Sequence, residues 1–270
     1  MKLPFTKMEG CGNDYVYVDG VAHAFPIERA GELAARWSDR HFGIGADGLI
    51  VLARDDDGAL RMLMWNADGS RGAMCGNGLR CLARFAEACG HAPGGAFEVR
   101  TDAGPRAVEL LDGGLVRTDM GAVTVGEPRS VEVAGDTWTF VPGDAGNPHA
   151  VTFVPDVDAA PVHVVGAAMQ QHPDFAGGVN VEFVQVLGGN RVRQRTFERG
   201  SGETFACGTG AAVVALATRR AGNIHGPVAQ VQLLGGTLAV IGEGPSLAIE
   251  GPARTVFSGE IDLPNAAGHA

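Results

Sequence analysis

Cys75-Gly76-Asn77-Gly78 and Cys207-Gly208-Thr209-Gly210 decide the fold, because each occupies the same place in one half of a 270-residue chain. A Gly-Asn pair lies upstream of each. Gly12-Asn13 precedes an alternating stretch at 15–18, and Gly146-Asn147 precedes another at 150–154. Cys75 follows Asn13 by 62 residues and Cys207 follows Asn147 by 60. Two landmarks in one order at nearly one spacing indicate a duplicated domain.

Downstream the halves agree again. Leu79, Leu82, Ala83, Ala86 and Cys89 recur at helical spacing, with Gly90 placed to end the helix. The second copy predicts a helix over 211–221, apolar nearly all round and therefore buried, ending before Gly222. An amphipathic helix is predicted from Pro26 to about Arg40, with Ala30, Leu33, Ala34 and Trp37 inward. Strands are expected at 61–65, 97–101, 106–111, 115–120, 181–186, 191–198, 228–233, 237–241 and 246–249. Forty-one glycines suit many strands joined by tight turns. The expected class is α+β: two similar domains from a duplication, each a curled, mostly antiparallel sheet wrapped around a central helix, with the active site in the cleft between them. The division is expected near Met120-Gly121, giving 1–120 and 121–259; a return of the tail, about 260–270, to the first domain is left open.

Composition narrows the chemistry. A net charge of −10 argues against nucleic acid and anionic membrane as partners. The opening MKLPFTKMEG has no long apolar core, and no uncharged apolar run nears the roughly 18 residues of a membrane span. A cytoplasmic location is expected, where five cysteines without a CxxC pair stay free thiols. The only lysines are Lys2 and Lys7, which leaves no ordinary Schiff-base lysine for pyridoxal phosphate. With no P-loop and no HExxH helix either, no cofactor and no metal are expected.

A cysteine just ahead of a glycine-led helix meets backbone N–H groups that have no partner within the helix. Those groups stabilise a thiolate and can also hold a carboxylate. One such thiolate suits acyl transfer. Two opposed ones suit inversion of a stereocentre, one removing the Cα proton and the other delivering a proton to the opposite face, with the helix N-termini stabilising the carboxylate-borne charge. Cys81, Cys89 and Cys11 are expected to be small buried hydrophobes.

At this point the sequence resembles the diaminopimelate epimerase family along nearly its whole length. The resemblance rests on Lys7–Tyr15 (KMEGCGNDY), Gly43–Leu49 (GIGADGL), Asn66-Ala67-Asp68-Gly69-Ser70 and Met74–Cys81 (MCGNGLRC). It continues through Gly146-Asn147-Pro148-His149, Val179-Asn180, Glu198–Thr204 (ERGSGET) and Ala206–Gly210 (ACGTG). It implies a cofactor-independent isomerase interconverting LL- and meso-2,6-diaminopimelate, a homodimer, with a small amino acid as its substrate. It assigns Cys75 and Cys207 as the acid/base pair. Gly76, Asn77, Gly208 and Thr209 would hold the reacting carboxylate through backbone groups. Asn13, Asn66, Asn147, Asn180 and Arg199 would bind the amino and distal carboxylate groups, while Glu198 and His149 orient the reacting end. Turn chemistry competes with binding for Asn13, Asn147 and Asn180 taken singly, and His149 reads equally as a core histidine. Asp68 reads as a turn former. Glu9, Cys11 and Gly48 depart from residues common in the family. Alternatives are a proline- or histidine-type racemase on the same scaffold, a related isomerase lacking the cysteine pair, a non-catalytic amino-acid-binding protein, and, last, a cysteine hydrolase.

Overall fold

The computed structural model describes residues 2–263. They form two compact units, residues 2–116 with 252–263, and Arg117–Gly251. The chain passes from one unit to the other within strand Leu115–Ala122, which also contains Met120-Gly121. Of the tail set apart by the sequence, residues 264–270 lie outside the described residues.

In the first unit, strand Lys2–Gly10 pairs antiparallel with Arg254–Asp262 on one side and Asn13–Asp19 on the other. Asn13–Asp19 runs parallel to Gly48–Arg54, which pairs antiparallel with Leu60–Asn66. Leu60–Asn66 touches Ala96–Thr101 in parallel, and Ala96–Thr101 pairs antiparallel with Gly104–Leu110. Parallel neighbours need a crossover. Helix α1 (Ala30–Ser38) lies in the first crossover and α2 (Gly76–Ala88) in the second.

The second unit has the same order of pairings. Asp136–Asp144 is antiparallel to Pro148–Phe153, which is parallel to Asn180–Gly188. Asn180–Gly188 is antiparallel to Arg191–Glu198, which is parallel to Val228–Leu233, itself antiparallel to Gly236–Ile241. Helices α3 (Val162–Met169) and α4 (Gly208–Arg220) fill the crossovers.

The pairings are mostly antiparallel, as expected, with two parallel pairs in each unit. The expectation of one central helix differs, because each sheet carries a helix on either face. In Asn13–Asp19 the residues alternate: Tyr15 and Tyr17 join the cluster around α2, whereas Val16 and Val18 join the cluster around α1. Leu49 and Val51 face α1, and Ile50 and Leu52 face α2. A strand covered on both faces is apolar throughout, so it gives no alternating signal. The inward residues predicted for α1, Ala30, Leu33, Ala34 and Trp37, are all buried. Helix α3 was not predicted. Its eight residues, VHVVGAAM, carry three β-branched valines and no side-chain cap, a pattern that local propensity assigns to strand.

The catalytic-looking helices end as their glycines predict. Gly90 and Gly222 have φ of 75° and 77°. Gly90 N bonds Glu87 O while His91 N bonds Ala86 O; Gly222 N bonds Arg219 O while Asn223 N bonds Thr218 O. Both are Schellman closures. A Cβ at Gly222 meets open space, so Gly222→Ala should cost about 1–2 kcal/mol through left-handed backbone alone. Trp37→Ala, which empties the α1 face, should cost about 3–5 kcal/mol. Urea unfolding followed by circular dichroism measures both, with the larger loss expected at Trp37.

Candidate active site

Cys75 is the N-cap of α2. Its backbone is extended, and its Sγ accepts the Gly78 N–H at 3.5 Å. A capping residue needs a side-chain acceptor within reach of the third helical N–H, and sulfur does here what serine or aspartate does elsewhere. The same Sγ lies 3.2 Å from Asn13 Oδ1, the acceptor for its thiol proton. Asn13 is held in turn by Asp47, to which its Nδ2 donates at 2.7 Å. Arg40 bridges Asp47 and Asp14, and Lys7 closes on Asp14 at 2.8 Å. Tyr15 is packed beside the sulfur, and burial, then the neighbouring Cys75, pushes its hydroxyl well above its ordinary range. Tyr17 donates to Gly78 O at 3.1 Å. An Asn13 side chain fixed at both ends is therefore a polar strut between the helix N-terminus and a charged network.

Cys207 is the N-cap of α4, with its Sγ accepting the Gly210 N–H at 3.4 Å and lying 3.4 Å from Thr209 Oγ1. Its surroundings are more acidic. His149 Nδ1 lies 2.7 Å from Glu182 Oε1 and its Nε2 lies 3.0 Å from Asn147 Oδ1. Neither side chain of the His149–Glu182 pair is exposed. Burial first, and then the Glu198 and Glu182 carboxylates, push the Cys207 thiol well above its ordinary range; Thr209 and the Gly210 N–H pull it down by less. These surroundings disfavour the thiolate of Cys207.

The remaining sequence-selected residues divide. Asn180 Oδ1 accepts from Arg199 N at 2.9 Å, and its Nδ2 donates to Pro148 O at 3.0 Å, so it ties the loop bearing Arg199 to the strand bearing His149. The Arg199 side chain is exposed and forms no salt bridge among the described residues. Glu198 accepts from Thr204 Oγ1 at 2.5 Å. Asn66, expected to bind substrate, instead bonds Ser70 Oγ through its Nδ2 at 2.9 Å, within a turn. The Asn77 side chain accepts from buried Arg80 at 2.8 Å, and its backbone lies at the helix start. Asp68 is a turn former, accepting from Ser70 N at 2.8 Å. Gly48 has a steric reason: a Cβ there would stand 2.2 Å from Trp65 O and 2.8 Å from the Tyr15 ring. Glu9 accepts Gly12 N–H at 2.9 Å and closes the turn that carries buried Cys11.

Sequence reasoning passed over Glu182, Asp47, Tyr15 and Arg80. Glu182 stands on the same strand face as Asn180, two residues on, and that period was the available signal. His149, Glu182 and Cys207 bring a nitrogen, an oxygen and a sulfur within 4.8 Å of one another, the ligand types of a zinc site. Both His149 ring nitrogens are engaged by Glu182 and Asn147, so a metal would have to break that pair.

Comparison with known proteins gives the family and the fold. The profile of the family described as diaminopimelate epimerase matches residues 5–126 and 143–255. Diaminopimelate epimerase of Aromatoleum aromaticum is 44% identical, the match covering 97% of this chain and 100% of that protein. That of Leptospira biflexa is 39% identical over the same shares. Among solved structures, a PhzF-family phenazine biosynthesis protein of Bacillus anthracis superposes with a TM-score of 0.75 at 14% identity, covering 97% of this chain and 100% of that one. A hydroxyproline epimerase from Agrobacterium vitis superposes at 0.72 and 16% identity, covering 98% and 94%. These structures share the mixed α/β fold. By profile and by full-length relatives, the chain belongs to the diaminopimelate epimerase family of isomerases.

Proposed function

We propose that the protein interconverts LL- and meso-2,6-diaminopimelate by Cα proton transfer between Cys75 and Cys207, without a metal or organic cofactor, as a step of lysine and peptidoglycan precursor biosynthesis. The observation that carries this reading is the pair of capping sulfurs: each takes the third N–H of a 13-residue helix. We infer that the two units are copies of one duplicated domain, each bringing one cysteine to the substrate. One cysteine as thiolate would take the Cα proton, and the other as thiol would deliver one to the opposite face. The backbone N–H groups at Gly76, Asn77, Gly208 and Thr209 would hold the adjacent carboxylate as charge moves onto it. Donors of this kind are worth on the order of 10²–10³ in rate when aimed at developing charge.

Arg199 favours diaminopimelate over an amino acid with one carboxylate. An exposed guanidinium without an ion-pair partner among the described residues is a fork for a second carboxylate. Asn13, Asn66, Asn147 and Asn180 would read the distal ammonium and carboxylate, Glu198 and His149 the reacting end. A cytoplasmic place agrees with five free cysteines, and no helix among the described residues is long and apolar enough to cross a membrane. A homodimer is proposed with Val256 and Phe257, both exposed on strand Arg254–Asp262, at its interface; sedimentation as a monomer would overturn it.

Reduced protein incubated with LL-diaminopimelate in D2O should yield meso product carrying Cα deuterium. Well-folded protein that gives neither, while exchanging another amino acid such as proline, would favour the other racemase reading. Cys75→Ala and Cys207→Ala should each lose a factor of about 10²–10⁴ or more in turnover. Retained turnover in either would end the two-cysteine mechanism. Arg199→Gln should raise KM for diaminopimelate by on the order of 10–100-fold, the worth of a charged hydrogen-bond pair, with both folds and helices unchanged.

A further inference from the structure

Arg80 is wholly buried, and among the described residues no carboxylate pairs with it. Its guanidinium donates to three neutral oxygens: Nε to Pro252 O at 3.3 Å, Nη1 to Gly76 O at 3.5 Å and Nη2 to Asn77 Oδ1 at 2.8 Å. Arg80 is the fifth residue of α2, and its side chain runs back to the helix start, as long side chains on a helix do. Gly10 leaves the room for it: a Cβ there would stand 3.2 Å from Arg80 Nη2 and 3.3 Å from Pro252 O. A buried guanidinium cannot shed its charge, and a charge buried without a partner is costly. A helix N-terminus, itself partly positive, is the least favourable place for one. The second unit does without it. Ala212 follows Cys207 by five residues, as Arg80 follows Cys75, on a helix of the same 13 residues. The capped helix start therefore does not require the arginine. Glu9 shares these surroundings, but it accepts from Gly12 N–H and stands 3.5 Å from Arg254. Burial pushes the Cys81 thiol up to about 12 and raises Cys11 as well; in both, Arg80 leads the opposition to burial and Glu9 acts more weakly the other way.

We propose that Arg80 is a positioning residue for the substrate carboxylate: its guanidinium, buried against the first turn of α2, draws that carboxylate to the Gly76 and Asn77 N–H groups and favours the negative charge that builds there. This rests on the epimerase reading, in which those N–H groups hold the reacting carboxylate, and it adds a source of charge behind them. A charge in the interior acts at longer range than one on the surface, and salt screens it less. The same guanidinium grips the turn that carries the N–H groups, through Gly76 O and Asn77 Oδ1, and ties that turn to the backbone at Pro252. Donors held in this way need no rearrangement as charge develops in front of them.

The test compares alkylation of Cys75 by iodoacetate, which carries a carboxylate, with alkylation by iodoacetamide, its neutral counterpart. Full-length reduced protein is used without substrate, and the Cys75 peptide is quantified by mass spectrometry. Both reagents meet the same thiolate, so at one pH the ratio of the two rates cancels the thiolate fraction and reads the preference for an anion. In Arg80→Gln, which keeps donors and loses the charge, the ratio should fall about tenfold. In Arg80→Lys, which keeps the charge and loses the fork, it should stay within about threefold of the natural protein. A ratio unmoved in Arg80→Gln overturns the proposal. So does an equal fall in both variants, since bonding geometry rather than charge would then be responsible. If either variant fails to fold by thermal melting, the natural protein decides: its Cys75 ratio should exceed that of free cysteine in the same buffer, and a ratio at or below that value overturns the proposal. Alkylation needs neither turnover nor a particular amino acid, so this inference and the epimerase reading, tested in D2O, fail separately.

Discussion

A helix that begins inside a protein must find partners for its first N–H groups, and at α2 and α4 the partner is a sulfur. That constraint organises the rest. The capping sulfur has to lie in line with the helix start, so Cys75 and Cys207 both take extended backbone at a strand-to-helix junction. The helix has to press close to the sheet for its N-terminus to sit among strand ends, so Gly78 and Gly210 are bare. The strand ends then supply the polar side chains, Asn13 and Asp47 in one unit, Asn147, His149 and Glu182 in the other. A reactive sulfur, an anion-binding helix end and a set of orienting groups come from one packing decision made twice.

Much of this was legible in the sequence, and the limits have physical reasons. Helices α1, α2 and α4 announce themselves by apolar periodicity and by the residues that end them. The cysteine pair announces itself by repetition. Helix α3 does not, because its eight valine- and alanine-rich residues carry no cap and owe their form to packing on the sheet. Parallel pairing was also hidden: strands buried on both faces give continuous apolar runs that fix neither direction nor neighbour. At the site, Asn13 and His149 were found as members of motifs, yet their partners were not. Glu182 sits inside NVEFVQV, where a charged residue at an alternate position ordinarily means a solvent face. Only the structure reveals that this face is covered by α4. Asn66 and Asn77 show the reverse, since their side chains serve a turn and a buried arginine.

The departures from the family pattern follow from neighbours. Gly48 leaves room for the Tyr15 ring and the Trp65 carbonyl, and Glu9 answers a free turn N–H while reaching Arg254 at 3.5 Å. Neither touches a capping sulfur. They alter the wall near Asn13 rather than the chemistry at the helix ends.

The pairing of the first strand with the last has a consequence for synthesis. Lys2 lies opposite Asp262 in the register of Lys2–Gly10 with Arg254–Asp262. A nascent chain therefore exposes that edge until the strand Arg254–Asp262 has followed, a wait of about 10–50 s at ordinary elongation rates. An open sheet edge invites pairing with other chains, and lysine on the edge discourages it. The only two lysines in the protein, Lys2 and Lys7, both stand on this strand. Lys2 meets Glu260 at 3.8 Å once the final strand arrives, so the charge that guards the vacant edge also greets its proper occupant.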